Sequence, residues 1–226
     1  MDSIPHVIHQ IWIGPDPEPT MWTDTFRKDY LSANPDFSYK LWNNDNINEL
    51  FTDFPIYKKV YDIEKTWNGK SDILRYLILY LYGGIYIDAD SVWLGRSMND
   101  LLNCKIFAGI EPNTNVITGG VIGSVKGNKL FLDIIKHIEN YIISNGNIKY
   151  YKYKRLRSFE GASKILGPTL FNKYANGNIT VYPSHYFYPI TWHGITDINY
   201  HKTHKISAKS YMFQYGYTTN NLKDKI

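Results

Sequence analysis

Residues 69–94, GKSDILRYLILYLYGGIYIDADSVWL, form the most apolar segment of the chain, yet they include four charged side chains. Apolar residues recur at spacings of three and four as far as Gly83-Gly84. This predicts a helix that has Ser71 as its N-cap and stops at the glycine pair. The alternation of residues 85–90 then predicts a buried strand. A helix joined directly to a buried strand restricts the chain to folds that pack helices on a sheet.

The four charged residues are placed where they can meet. Asp72 falls in the first turn of the predicted helix, and Arg75 follows three residues later on the same face. In the predicted strand, Tyr86, Asp88 and Asp90 point to one side and the intervening apolar residues to the other. Because buried charges need partners, one reading is that these groups border a common polar ligand. A surface Asp72–Arg75 pair and a solvated strand end are the simpler alternatives.

Asp88 and Asp90 form a D-x-D pair at the carboxyl end of the predicted strand. Two carboxylates so close together disfavour each other's ionisation, and a bridging divalent cation removes that conflict. Mg²⁺ and Mn²⁺ prefer hard oxygen ligands and commonly lie between carboxylates and substrate phosphates. Ligands of α/β proteins also bind at this edge of the sheet. The D-x-D pattern alone is a weak signal, because it occurs by chance in many proteins.

The rest of the chain predicts strands that alternate with helices. Strands are predicted in 6–14, 37–43, 104–111, 119–125, 179–183 and 210–215, and helices in 20–34, 44–54, 128–144 and 167–174. Residues 56–67 are compatible with a helix or an irregular turn, and residues 184–192 with a loop. No repeat or linker divides the sequence. We therefore predict one α/β domain over residues 1–226, with a mostly parallel central sheet flanked by helices.

Composition limits the classes of function. The net charge of +4 is modest, and no nucleic-acid-binding module is recognisable. The single cysteine, Cys104, excludes an internal disulfide. No signal peptide is visible, and the longest apolar stretch, 73–87, is too short to span a membrane. These features predict a soluble, cytoplasmic protein. The basic segment 149–157 predicts a solvated face, with contacts to donor phosphates or an acidic glycan as the alternative.

Several motifs together resemble one protein family. KSDILRYLILYLYGGIYIDAD is similar to the signature of the glycosyltransferases with the DXD sugar-binding motif. IPHVIHQIWIG and NPDFSYKLWN are similar to that family's N-terminal segments, and HYFYPITW to a later one. The family includes yeast mannosyltransferases and capsule transferases, and it is related to the catalytic core of clostridial glucosylating toxins. The likeness is strong over residues 4–95 and looser as far as about residue 215.

The resemblance implies a GT-A fold and a retaining, metal-dependent transfer. A hexose or N-acetylhexosamine would move from a nucleoside diphosphate sugar to a glycan or another hydroxyl acceptor. A UDP-sugar is favoured as donor over GDP-mannose, and Mn²⁺ or Mg²⁺ is the implied cofactor. An alternative is a weakened sugar-nucleotide or glycan-binding module on the same scaffold. A nucleotidyltransferase is disfavoured, because GPDPEP after the first strand is a poor phosphate loop.

The resemblance also implies roles for individual residues. Donor binding falls to Trp12, which would stack on the base, to Asp72 and Arg75, which would contact the sugar and ribose, and to Tyr86 and Asp88. Metal binding falls to Asp90 and, in part, to Asp88. Asp88, Asp90 and Arg75 are the expected catalytic residues. Ordinary core packing is the alternative for Trp12 and Tyr86.

The sequence departs from the family pattern at two places. Gln214 stands where a histidine or an acid usually completes the metal site, and a glutamine carbonyl is a weaker ligand. Asn220 and Asn221 are alternative ligands nearby. Gly119 stands where the family commonly has an asparagine near the acceptor. We therefore expect Asp88, Asp90 and Gln214 to hold the metal, with Gln214 as a weaker ligand. The alternatives are that Asn220 or Asn221 replaces Gln214, or that Asp90 and the donor diphosphate hold most of the metal's coordination.

Overall fold

The computed structural model describes residues 3–113, 116–152, 167–175, 177–191 and 193–226. Its main sheet has six strands: β1 (Val7–Ile11), β2 (Ser38–Trp42), β3 (Gly84–Ile87), β5 (Ile106–Ile110), β6 (Ile117–Ser124) and β7 (Thr180–Tyr182). The strand order is β2-β1-β3-β6-β5-β7. β6 runs antiparallel to its neighbours β3 and β5, and the other pairings are parallel. The predicted mostly parallel α/β sheet is confirmed.

A second, smaller sheet lies outside the main one. Strand β4 (Ser91–Trp93) pairs antiparallel with β8 (Met212–Gln214), and Ser91 lies opposite Gln214. This pairing joins the chain just after the D-x-D pair to a segment more than 100 residues later. Gln214 is thereby placed next to Asp88 and Asp90.

Helices cover both sides of the main sheet. They are α1 (Thr20–Asp24), which continues through a π-helical stretch (Thr25–Tyr30) into α2 (Leu31–Ala33), then α3 (Pro55–Ile63), α4 (Trp67–Tyr82), α5 (Lys129–Lys152), α6 (Pro168–Ala175), α7 (Ser184–Phe187) and α8 (Tyr200–Thr203). Single 3₁₀ turns occur at Ile47–Phe51, Asn99–Leu101 and Lys223–Lys225.

The alternation predicted after Gly84 places residues on opposite faces of the sheet. Ile85 and Ile87 pack in a cluster with Phe107 and residues of the first helical segment. Tyr86 packs on the other face, in the cluster formed mainly by α3, α4, α5 and α6. The two faces of one short strand therefore belong to two separate parts of the core, as the period of two predicts.

Helix α4 begins earlier than predicted. Its N-cap is Thr66 rather than Ser71, and the Thr66 hydroxyl accepts a hydrogen bond from the Gly69 amide at 3.0 Å. Asp72 therefore lies in the second turn, where the helix dipole contributes little. Its charge is balanced by Arg75 instead.

Strand β3 ends earlier than predicted, at Ile87, and Asp88–Asp90 lie in a turn rather than on one strand face. The physical reason is that the chain leaves the main sheet here in order to pair with β8 in the small sheet. The predicted strand over 85–90 is thus correct only for its first part.

Other elements also differ from the prediction, and the helix predicted over 44–54 is a 3₁₀ helix at Ile47–Phe51. Helix α5 continues past Asn145-Gly146 to Lys152, and residues 184–187 form the short helix α7 instead of a loop. Of the basic segment 149–157, residues 153–157 lie outside the described residues, as does Trp192 of the HYFYPITW motif. Within the described ranges, no helix is long and apolar enough to cross a membrane.

We predict that Gly123→Ala destabilises the sheet. Gly123 on β6 lies opposite Phe107 on β5, and a Cβ at this position would collide with the buried Phe107 ring. Overpacking of this kind costs about 1–3 kcal/mol, which for a chain of this size lowers Tm by roughly 2–4 °C per kcal/mol. Thermal denaturation measures the change.

Phe107→Leu provides the control for this prediction. In a Phe107→Leu background the added methyl group meets a smaller side chain. Gly123→Ala should therefore lower the stability of the folded protein by less than it does in the wild type. Equal costs in the two backgrounds would contradict the proposed collision.

Candidate active site

A cleft of about 650 Å³ opens at the carboxyl ends of β1 and β3. Its walls come from the start of α4, from β6 and from residues 214–223. Every residue predicted for donor, metal or catalytic roles lines it: Trp12, Asp72, Arg75, Tyr86, Asp88, Asp90 and Gln214. The predicted site residues therefore lie in one cavity.

Arg75 lies at the centre of the charged cluster. Its Nη1 is 3.0 Å from Asp72 Oδ1, and its Nη2 is 3.2 Å from Asp88 Oδ1. Nη2 also lies 3.3 Å from the Tyr86 hydroxyl, which donates to Asp88 Oδ1 at 2.6 Å. The side chains of Arg75 and Asp72 are only 7% and 8% exposed. This excludes the alternative of an ordinary surface pair.

Glycines on β6 make room for this cluster. A Cβ at Gly119 would collide with Arg75 Nη1. A Cβ at Gly120 would lie 3.0 Å from Asp88 Oδ2 and 2.8 Å from the Tyr188 hydroxyl. The backbone of β6 can therefore approach the charged groups closely. In the sequence, Gly119 is visible only as a departure from a family pattern, and its steric role depends on contacts that no local pattern shows.

The turn that carries the D-x-D pair is fixed by backbone and side-chain hydrogen bonds. The Asp88 amide donates to the Gly120 carbonyl at 2.9 Å, and Tyr217 N donates to Asp90 Oδ2 at 2.7 Å. Gln214 Nε2 donates to Asp88 Oδ2 at 2.8 Å and to Asp90 Oδ1 at 3.4 Å. A single nitrogen thus lies within reach of both carboxylates, so the two groups converge on one point.

Burial changes the proton affinities of this cluster. Burial raises the pKa of Asp90 to about 7, and the neighbouring Asp88 carboxylate adds to the rise. Burial also raises the pKa of Asp72 to about 7, against the attraction of Arg75. Burial opposes the charge on Arg75, but Tyr86, Asp72 and Asp88 together raise the pKa of its guanidinium well above the usual value. Arg75 therefore stays cationic.

The donor set suits a hard cation rather than zinc. In the part of the chain that the structure describes, no group of three or more His, Cys, Asp or Glu side chains could hold a metal ion. Two carboxylates and the amide of Gln214 converge instead, and all can offer oxygen. This set fits Mg²⁺ or Mn²⁺, which complete their coordination with water and substrate phosphates.

A second polar cluster lines the same cleft and was not predicted. Lys223 Nζ is 2.6 Å from Asp16 Oδ1, and the Tyr217 hydroxyl donates to Asp16 Oδ2 at 3.4 Å. Trp12 donates its indole N–H to the Asp16 carbonyl at 3.0 Å and meets the Tyr217 ring edge-on at 5.2 Å. The contacts to Tyr217 and Lys223 join residues about 200 positions apart, and no local pattern signals them.

Of the two asparagines considered as alternative ligands, only Asn221 lines the cleft. The Asn220 side chain instead donates to the Tyr215 carbonyl at 2.7 Å and accepts from the Gly194 amide at 2.9 Å. Asn220 therefore has a structural role in its own turn. Gln214 and Asn221 are the remaining amide candidates.

Comparison with known proteins supports the family predicted from the sequence. Residues 20–107 match the model of the glycosyltransferase sugar-binding region containing the DXD motif. The chain is 31% identical over 140 residues to inositol phosphoceramide mannosyltransferase 3 of Schizosaccharomyces pombe, covering 62% of this chain and 38% of that protein. It is 36% identical over 140 residues to an uncharacterized glycosyltransferase of Acanthamoeba polyphaga mimivirus, covering 60% and 55%. The chain thus spans less than two thirds of the length of these relatives.

A solved structure shows the same fold. The PaToxG glycosyltransferase superposes with a TM-score of 0.53 at 20% sequence identity, over 79% of this chain and 71% of that one. The predicted GT-A architecture is confirmed. The predicted resemblance to the DXD glycosyltransferases is confirmed over the matched residues 20–107.

We predict that Asp90→Asn stabilises the metal-free protein at alkaline pH. The pKa of Asp90 in the folded chain, about 7, is above its ordinary value of 3.8. The stability that this group contributes is therefore fully present below about pH 4 and is lost as the pH rises through 7. Asparagine does not titrate. The difference in Tm between variant and wild type should accordingly be more positive at pH 8 than at pH 5, by about 2–4 °C for each kcal/mol recovered.

Thermal denaturation with EDTA at both pH values measures this difference. Asp62→Asn is the control, because Asp62 is a 54% exposed carboxylate on α3. A difference in Tm that is the same at pH 5 and pH 8 for Asp90→Asn would contradict the raised pKa.

Proposed function

We propose that the chain transfers a sugar from a nucleoside diphosphate sugar to a hydroxyl acceptor, with the help of a divalent cation. The observation that carries this proposal is the convergence of Asp88, Asp90 and Gln214 beside the buried Arg75 in one cleft. Carboxylates held on one point, next to a cavity large enough for a sugar nucleotide, suit a metal–diphosphate complex. The proposal treats residues 1–226 as one domain, as the sequence predicts.

Asp88, Asp90 and Gln214 would hold the cation. In the present arrangement the Gln214 amide nitrogen faces both carboxylates. The oxygen and nitrogen of a side-chain amide exchange positions when the amide group turns by half a rotation. Turning the Gln214 amide in this way presents its oxygen to the same point. The bound cation would supply positive charge to the leaving diphosphate, where negative charge develops during transfer.

Arg75 would act mainly by positioning. Its two terminal nitrogens already contact Asp72, Asp88 and the Tyr86 hydroxyl, and its side chain is almost fully buried. The guanidinium holds Asp88 in one orientation and balances the charge of Asp72. Burial raises the pKa of Tyr86 well above its usual value, so this hydroxyl keeps its proton and donates a hydrogen bond to Asp88.

The remaining roles concern the donor. Asp72 lines the cleft with a carboxylate whose Oδ1 faces Arg75, which suits an acceptor for sugar or ribose hydroxyls. Trp12 also lines the cleft and suits a flat base. The fungal relative is named as a mannosyltransferase, which favours mannose as the transferred sugar. UDP-sugars and GDP-mannose are both donors to test.

The family resemblance adds retention of configuration to the proposal. We assign no side chain as a nucleophile, and the protein contributes positioning and electrostatic stabilisation. NMR of the linkage formed from an α-configured donor tests this part. An α-linked product supports retention, and a β-linked product contradicts it.

A binding module without turnover is the second candidate. The observation that favours it is the Gln214 amide, which occupies the place of a charged or imidazole ligand and already satisfies both carboxylates. Tight binding of a donor without hydrolysis or transfer to any acceptor would support this candidate over the transferase.

We predict that Asp90→Ala lowers Mn²⁺-dependent donor hydrolysis by more than about 100-fold, because losing a metal ligand costs at least as much as losing a supporting residue. Release of nucleoside diphosphate from UDP-glucose, UDP-N-acetylglucosamine and GDP-mannose measures the rate. Asp62→Ala, an exposed carboxylate on α3, is the control and should match the wild type. Turnover that survives Asp90→Ala would remove Asp90 from the metal site.

We further predict that Gln214→Ala raises the Mn²⁺ concentration for half-maximal hydrolysis by about tenfold or more, and that Gln214→His restores tight binding. A Mn²⁺ titration of the hydrolysis rate measures this change. Asn221→Ala is the comparison variant, since Asn221 is the other amide on the cleft wall. If Asn221→Ala shifts the titration and Gln214→Ala does not, the third ligand is Asn221.

A further inference from the structure

Trp67 is a large apolar side chain that remains open to the cleft. It is the first residue of α4, lines the cavity and is 47% exposed. Tryptophan at this exposure leaves much apolar surface in contact with water. Since a single exposed aromatic side chain is common on protein surfaces, its position and orientation decide whether it has a role.

Contacts with Gly14 define how the indole is oriented. A Cβ at Gly14 would lie 3.0 Å from both Cδ2 and Cε2 of Trp67, the two atoms of the bond shared by the rings. Equal distances to these central atoms mean that the indole presents its face, not its edge, to Gly14. The missing side chain of Gly14, at φ +110°, permits this contact. Lys70 Nζ also lies over the indole, 6.0 Å from the ring centroid, and Trp67 keeps 47% of its surface exposed.

The turn before Trp67 fixes the start of the helix. Glu64 Oε1 accepts from the Thr66 amide at 2.7 Å and from the Thr66 hydroxyl at 2.6 Å. The Thr66 hydroxyl in turn caps the helix at Gly69. A flat ring on a capped helix loses little freedom when a ligand covers it, so it suits a stacking surface.

Trp67 lies at the same end of the cleft as Trp12. Gly14, which Trp67 covers, is two residues beyond Trp12 in the chain, and both indoles line the cavity. Trp12 is held by its hydrogen bond to the Asp16 carbonyl and by its edge-on contact with Tyr217. We propose that Trp67 is a second aromatic wall of the base site, which stacks on the base or on the ribose edge of the donor nucleotide. This inference rests on the proposed function.

The expected effect follows from the energetics of stacking. Removing one aromatic partner of a nucleic acid base weakens binding by about 5- to 100-fold. Stacking tolerates any base, because every base has an aromatic face. The effect of Trp67 should therefore appear with both uridine and guanosine diphosphates. It should be absent for a ligand that has phosphates and no base.

Isothermal titration calorimetry in Mn²⁺, with UDP, GDP and pyrophosphate as ligands, tests the proposal. Trp67→Ala should raise the Kd of the nucleotide that the wild type binds by at least about fivefold and leave the Kd of pyrophosphate unchanged. Trp67→Phe, which keeps a flat ring, should recover most of the loss. Tyr82→Ala is the matched control, because Tyr82 is a 40% exposed aromatic side chain that does not line the cleft.

The outcomes separate this inference from the proposed function. If the wild type binds neither nucleotide, the proposed function fails. If the wild type binds a nucleotide and Trp67→Ala leaves the Kd of that nucleotide unchanged, the inference that Trp67 is a second wall is wrong. The inference is also wrong if Trp67→Ala raises the Kd values of pyrophosphate and of the nucleotide by the same factor.

Discussion

A buried guanidinium between two carboxylates holds the centre of this molecule together. Arg75 reaches from α4 to Asp88 at the end of β3, and Asp72 balances its second side. Removing one member of a buried ion pair typically costs about 3–5 kcal/mol, because the other charge is left unpaired. The helix, the strand end and the D-x-D turn are therefore coupled, and none can move far without separating charges from their partners.

The same constraint determines what lies around it. The β6 backbone can approach the cluster only because Gly119 and Gly120 have no side chains. Tyr86 stays protonated and supplies a donor to Asp88, while Asp90 remains close to Asp88 with a raised pKa. Carboxylate groups therefore outnumber cationic groups at one side of the cleft. A divalent cation with an anionic diphosphate complements that arrangement better than a neutral ligand does.

Local sequence patterns were sufficient to predict the helix and the strand that carry the charged cluster. The period of 3.6 in α4 and the alternation of Ile85, Tyr86 and Ile87 are dictated by burial, so they are visible in the sequence. The start of α4 was misplaced because Thr66 and Ser71 are equally suitable caps, and the Glu64 contact that selects Thr66 involves no periodicity. The end of β3 was misplaced because its cause, pairing with β8, lies far away in the chain. Asp16, Tyr217 and Lys223 were missed for the same reason.

The division into two sheets has a consequence for how the site comes into being. All six strands of the main sheet precede residue 183, whereas Gln214 and the Tyr217 amide arrive only with β8. During synthesis the nascent chain can complete its main sheet while the D-x-D turn still lacks the wall that faces it. That wall depends on β8, a strand of only three residues. Without the residues that follow 183, the cleft would lack that wall, and one face of the main sheet would also lose Phe187, Tyr211 and Met212 from its buried cluster.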